Sequence, residues 1–185
     1  IESSRPFHFG PVPVGQAAGK VLGHNVAAAD GRTGLRKGRP LTPADVAFLE
    51  GLGRSVVYVA EPGTDDVDEN EAARRVAQAA LGMGLRLVGP GAGRANLVAT
   101  GPGLLRLDPS RLLRLNRCEG ITVATLLTHT PVREGQVVAT IKVIPFAAAN
   151  EIVRAAETVA AEGGPLLRVD AFPPRDVDLI LTGSS

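Results

Sequence analysis

Cationic side chains at two places in this sequence could bind an anion. Lys142 is one of only three lysines and lies inside an otherwise apolar run. Its ammonium could face an anionic ligand or a partner domain, or its stem could run along a sheet to reach solvent. A polar loop over residues 30–40 adds four cations that could meet a phosphate or an acidic partner, or be solvated: Arg32, Arg36, Lys37 and Arg39.

A second candidate site lies at the end of the sequence. Thr182, Gly183 and Ser184 follow an apolar run and precede Ser185. Such a loop after a strand offers hydroxyl and backbone N–H groups to a phosphate. We therefore take Thr182, Gly183 and Ser184, with Lys142, as candidate cofactor-binding residues. The alternative is that residues 183–185 are an artificial tail.

Three further side chains could carry chemistry, but simpler interpretations are favoured. His24 is expected to be half-buried and bonded to the backbone or to Asn25, and His129 is expected at the surface of a turn. Cys118 is expected to be a small core thiol, although the neighbouring Arg117 could lower its pKa. One cysteine and three scattered histidines make a structural zinc site improbable.

The glycine-rich stretch 89–93 does not predict a phosphate loop. No Lys-Ser/Thr pair follows it, and the residues after it have the pattern of a strand rather than a helix. We therefore interpret it as a turn, and we predict no catalytic residues in the chain.

The amino-acid composition excludes some classes of function. The chain has 185 residues, a net charge of +1 and 3% aromatic residues. It therefore lacks both the basic field and the stacking platform that nucleic-acid binding requires. No apolar run approaches the roughly 20 residues of a membrane span, and no signal peptide opens the chain. We expect a cytoplasmic protein with no membrane or nucleic-acid partner.

Four helices must position these residues. Thr42 can cap the first, with Pro43 and Asp45 behind it, and Asp68 can cap the second. Asp108 and Pro109 are a cap and first-turn signal for a short helix over residues 110–115, and a longer helix is expected over residues 150–161.

Strands fill most of the rest. They are predicted over residues 20–27, 55–60, 121–127, 137–144 and 177–182, and in the runs LRLV, NLVA, LLRLD and LLRVDAF. Residues 137–144 are apolar on both faces, which indicates a central strand. Residues 1–19 are expected to be an extended lead-in.

The predicted fold class is α+β. It comprises a small helix–strand module over residues 1–84 and a β-rich, barrel-like module over residues 85–147. A helix and connector follow over residues 148–176. Residues 177–185 would be the first strand of a missing α/β domain, because an apolar strand ending in a small-residue loop normally leads into a helix.

Several ordered motifs resemble those of bacterial molybdopterin-binding proteins, relatives of the enzymes that insert molybdenum into the pterin cofactor. They are FGPVPVGQAAGKVLGHNV, LRKGRPLTPADVAFLEGLG, GRANLVATGPGLLRLD, LNRCEGITVATL, VREGQVVATIKVIPFA and LLRVDAFPPRDVDLILT. The resemblance covers about residues 7–182.

The resemblance implies that the pterin site belongs to a downstream α/β domain with glycine-rich phosphate loops. Only the first strand of that domain would be present here, so no pterin-binding residue can be carried over. The chain would be an accessory front region involved in molybdenum cofactor biosynthesis or handling, which shapes a cleft or a homo-oligomer. Molybdopterin would bind the full-length protein and not this chain alone. Whether the full protein is an enzyme or a binding protein stays open.

Two other functions are compatible with the residues. A sugar-acid dehydratase-like accessory domain would bind a small anionic substrate through the basic loop and Lys142. A lipoyl or biotinyl carrier would need an exposed lysine at a hairpin tip, and the position of Lys142 inside a strand argues against it.

Overall fold

The computed structural model of the chain describes residues 8–28, 31–180 and 182–183. The helices are α1 (Pro43–Gly51), α2 (Glu69–Ala80), α3 (Pro109–Leu115) and α4 (Asn150–Ala161). The first seven strands are β1 (His8–Pro13), β2 (Val21–Leu22), β3 (Val26–Ala27), β4 (Thr33–Leu35), β5 (Val56–Glu61), β6 (Asp66–Asp68) and β7 (Leu85–Gly91). The others are β8 (Arg94–Ala99), β9 (Gly103–Leu107), β10 (Ile121–Thr125), β11 (Pro131–Val132), β12 (Val137–Val143), β13 (Ala147–Ala149) and β14 (Leu167–Ala171).

The fold is α+β, as the sequence predicts, and most of its regular structure is β. The strands pair antiparallel in sheets of order β1-β5-β2, β10-β12-β8-β7, β11-β9-β14, β13-β6 and β3-β4. Among the described strands no sheet closes on itself, so the β-rich part is a set of open sheets rather than a barrel.

Local capping signals set the helix starts. The Thr42 side chain accepts from the Asp45 N–H, and the Asp45 carboxylate accepts from the Thr42 N–H, which is a complete capping box. Asp68 caps α2 by accepting from the N–H groups of the next turn, and Asp108 caps α3 in the same way. These three predicted helix starts are confirmed.

The larger core forms around the four-stranded sheet. The strand β12 pairs with β10 on one side and β8 on the other, which confirms its predicted central position. The helix α2 packs on this sheet, and α4 packs on α2. The apolar stripe of α2 is fully buried: Ala72, Ala73, Val76, Ala77 and Ala80.

A smaller core lies against the sheets β1-β5-β2 and β3-β4. It contains buried residues between Val14 and Val59, including Leu22, Leu41 and Leu49. The helix α2, predicted as part of a module ending at residue 84, instead contributes its apolar stripe to the larger core. The domain limits at residues 84, 147 and 176 stay predictions.

The structure corrects two strand predictions in the first module. Residues 20–27 form two short strands, β2 and β3, rather than one. The expected lead-in contains β1, which pairs with β5 along its whole length. Pro11 and Pro13 are tolerated in β1 because it is an edge strand, where the missing N–H groups cost no ladder bonds. Residues 1–7 lie outside the described residues.

Candidate functional site

Lys142 lies on the central strand with its ammonium committed to internal partners. Its Nζ donates a hydrogen bond of 2.7 Å to the Ala92 carbonyl oxygen and lies 3.8 Å from Glu69 Oε2. The side chain is one-third exposed. Lys142 therefore joins the sheet to the tip of the β7–β8 hairpin and to the start of α2.

Two candidate cations from different parts of the chain, Lys142 and Lys37, both act on the Glu69 carboxylate. Glu69 is the first residue of α2, and its N–H donates to the Phe146 carbonyl oxygen at 3.0 Å. Burial raises the pKa of the Glu69 carboxyl, while the charges of Lys142 and Lys37 lower it and that of Asp68 raises it. The basic loop and Lys142 thus act on one carboxylate, although they come from opposite ends of the sequence.

The glycine-rich stretch 89–93 forms the end of β7 and the hairpin turn into β8, so the predicted turn is confirmed at residues 92–93. Ala92 and Gly93 both adopt left-handed backbone conformations, with φ of 52° and 66°. The Gly93 N–H donates to Asn70 Oδ1 at 2.9 Å, and the Gly93 carbonyl oxygen accepts from the Val143 N–H at 2.8 Å. These groups hold the hairpin tip against α2 and β12.

His24 differs from its predicted environment. It is exposed rather than half-buried, and Asn25 Oδ1 accepts from the Lys37 N–H instead of serving the imidazole. The ring lies 5.6 Å from Phe9 in an edge-on arrangement and 5.4 Å from Tyr58. The strand β2 ends before Gly23, and the Phe9 ring lies over Gly23. His24 therefore packs against the rings of Phe9 and Tyr58, which we call the aromatic surface.

This aromatic surface connects the two cores. The rings of Phe9 and Phe146 stack with centroids 6.1 Å apart and an interplanar angle of 20°. Phe9 lies in β1, beside the smaller core, and Phe146 directly precedes β13, beside the larger core.

The side chains of His129 and Cys118, the other two candidates, are not part of the aromatic surface. His129 is exposed in a turn, as predicted, with φ of 67°. Cys118 packs against the larger core, as predicted, and burial raises the pKa of its thiol. The lowered pKa considered for Cys118 beside Arg117 is therefore wrong.

The final candidate segment is exposed. Residues 172–180 have no regular secondary structure, so the strand predicted from residue 177 does not form in the described residues. A strand requires a hydrogen-bonded neighbour, and this segment has none among the described strands. Thr182 and Gly183 are exposed and remote from Lys142 in sequence, while Ser184 and Ser185 lie outside the described residues.

A groove of about 910 Å³ lies at the start of α4. Its lining combines apolar side chains such as Ile144 and Ile152 with one cation, Arg154. The carboxylates that line it are Asp65, Asp66, Glu119 and Glu151. This excess of negative charge opposes the binding of an anionic ligand.

One pair of candidate ligand-binding side chains was not identified from the sequence. Arg106 of β9 and Arg168 of β14 are directly opposite in the antiparallel register. Both donate to Asp170, each through Nε at 2.9 Å. The repeated pentapeptides LLRLD and LLRVD, each an expected strand, are the signal from which this pairing could have been suspected.

Comparisons with known proteins add one finding. Residues 11–61 match a family described as Domain of unknown function (DUF8806). No curated protein and no solved structure matches the chain. Within the described residues, no helix is long and apolar enough to cross a membrane, and no three side chains of the metal-binding types cluster together. The matched stretch coincides with the smaller core, which runs from Val14 to Val59.

Proposed function

We propose that this chain is the accessory region of a cytoplasmic molybdopterin-binding protein. In this proposal a downstream α/β domain holds the pterin, and residues 172–183 connect to that domain and pack against it. The accessory region takes part in molybdenum cofactor biosynthesis or handling by shaping that assembly and contributes no catalytic residue.

The observation that carries the proposal is the exposed apolar segment after β14. Val177, Leu179 and Ile180 are 83%, 79% and 84% exposed. Burying each such side chain stabilises a contact by about 1.5–3 kcal/mol. Three large apolar side chains within four residues therefore favour a segment that becomes buried against a partner, and the strand-like pattern of residues 177–182 suits a place beside a sheet.

The placement of the charged groups also favours a pterin site outside this region. The ammonium of Lys142 is hydrogen-bonded to the Ala92 carbonyl oxygen, and the nearby Glu69 carboxylate balances its charge. The groove at α4 is lined by carboxylates, which disfavour a ligand that bears a phosphate. Thr182 and Gly183 by themselves offer one or two hydrogen bonds worth about 0.5–1.5 kcal/mol each. Association costs at least about 4 kcal/mol, so this contribution is too small to hold the ligand.

The test uses the full-length natural protein with Val177→Asp and Leu179→Asp introduced together. A charge at each position opposes burial, so we expect faster protease cleavage within residues 172–183 and at least tenfold weaker molybdopterin binding. The matched control is Asp178→Asn, which changes an exposed residue of the same segment and should leave both measurements unchanged. Unaltered cleavage and affinity in the double variant would contradict the proposal.

A further inference from the structure

We propose that Arg106 and Arg168 form a binding site for the phosphoryl group of a small phosphate monoester. The site lies on the sheet β11-β9-β14. It is independent of the pterin site in the proposed function, because it is built from this chain alone.

The first argument is that the two arginines occupy an unfavourable arrangement. They are directly opposite each other on neighbouring antiparallel strands, where like charges destabilise a sheet. Their side chains are 37% and 51% exposed, so neither is needed to fill the core. A local arrangement that costs stability without a packing benefit is typical of a functional site.

The second argument is that one carboxylate orients both guanidinium groups and leaves most of their donors free. Asp170 accepts the Nε–H of Arg106 on one oxygen and the Nε–H of Arg168 on the other. Within the described part of the chain, the terminal nitrogens of both guanidinium groups have no hydrogen-bond acceptor. Such paired forks of donors match the geometry and charge of phosphate oxygens.

The charge balance leaves one positive charge for an anion to neutralise. Two guanidinium groups share the single charge of Asp170, and the pKa of this carboxyl is lowered by Arg168 and Arg106. A third cation, Arg111, is only 13% exposed and is balanced by Asp108. Arg111 donates to the carbonyl oxygens of the turn after α4, at 2.7 and 3.0 Å. The surplus positive charge therefore resides on the two exposed arginines, where it attracts the negative charge of a phosphoryl group.

The third argument is the cavity that these arginines line. Its volume is about 350 Å³, within the range of small-ligand sites. Thr128 and His129 lie on its wall. Thr128 Oγ1 accepts from the Leu107 N–H at 3.3 Å, which leaves its own hydroxyl hydrogen to donate to a ligand. His129 adds an imidazole ring, and its backbone N–H, in a left-handed turn, donates to the Leu105 carbonyl oxygen at 2.7 Å. The space beside the phosphoryl position suits the organic part of a monoester.

The experiment is a titration of the 185-residue chain with inorganic phosphate and with glycerol phosphate, followed by backbone amide NMR at constant ionic strength. We expect saturable shifts at residues 106–107, 128–129 and 168–170, and no such saturation with chloride. The variants Arg106→Gln and Arg168→Gln should each weaken binding at least tenfold. The control Arg133→Gln removes an exposed arginine elsewhere and should leave the affinity unchanged.

A second readout separates a binding role from a structural one. Removing one member of a like-charged pair relieves repulsion, while the remaining arginine keeps its bond to Asp170. We therefore expect Arg168→Gln to keep or raise the melting temperature at low salt without phosphate. A lowered melting temperature with unchanged phosphate affinity would overturn the proposal, as would equal shifts with chloride and phosphate. If Arg168→Gln does not fold, Arg106→Gln and the comparison of chloride with phosphate decide the question.

Discussion

Two charged clusters in this molecule contain similar side chains and reach opposite outcomes. At the inner cluster, Lys142 and Glu69 lie under a hairpin tip, and the lysine ammonium is bound to a backbone carbonyl and close to a carboxylate. At the outer cluster, Arg106 and Arg168 share one carboxylate and keep unused donors beside a cavity. The comparison teaches that a cation in a strand is a candidate for a ligand site when a neighbouring carboxylate does not already balance its charge.

Substitution of Gly93 should disrupt the inner cluster, and we expect this change to cause the largest loss of folding stability. Gly93 has φ of 66°, and a Cβ there would lie 2.8 Å from the Val143 carbonyl oxygen and 2.6 Å from Glu69 Oε2. Gly93→Ala should therefore lower the free energy of unfolding by about 1–3 kcal/mol, measured by urea denaturation.

The matched control for this change is Gly91→Ala in the same hairpin. A Cβ at Gly91 would meet no atom within 4 Å, so its effect should stay within about 0.5 kcal/mol. Equal effects of the two substitutions would show that the hairpin tip is not held by the cluster.

A smaller effect is expected from the titration of Glu69. Burial raises the pKa of its carboxyl above the ordinary value of 4.5, so the folded state holds this proton more tightly than the unfolded state. The resulting stabilisation is complete below pH 4.5 and is lost as the pH rises through the higher folded-state pKa. Glu69→Gln removes this dependence.

The measurement is the unfolding free energy of both proteins at several pH values from 4 to 7. We expect the variant to gain stability relative to the parent as the pH rises above 4.5. Parallel curves for the two proteins would mean that the carboxylate is solvated and not part of a buried cluster.

Short-range signals made much of this fold predictable. The caps at Thr42, Asp68 and Asp108 act within one turn of each helix, so the sequence alone indicates where α1, α2 and α3 begin. The central position of β12 followed from a run that is apolar on both faces.

Features that depend on distant partners were not predictable in the same way. Strand β1 contains two prolines and becomes recognisable only through its pairing with β5. The apolar run from residue 177 has the composition of a strand but no neighbouring strand among those described, so it stays irregular.

The candidate sites likewise combine features that are visible in the local sequence with features that depend on distant residues. Lys142 was found by its unusual position in an apolar run, but its two internal partners come from Ala92 and Glu69, at least 50 residues earlier. The opposition of Arg106 and Arg168 depends on the register of strands about 60 residues apart, which neither pentapeptide specifies alone.

The most direct test of the proposed function compares molybdopterin binding by the 185-residue chain and by the full-length natural protein. A stabilised form of the pterin would be titrated into each, and its fluorescence would report the bound fraction. The account predicts micromolar or tighter binding by the full-length protein, and binding by the chain alone no tighter than that of inorganic phosphate. Micromolar binding by the chain alone, or no binding by the full-length protein, would contradict it.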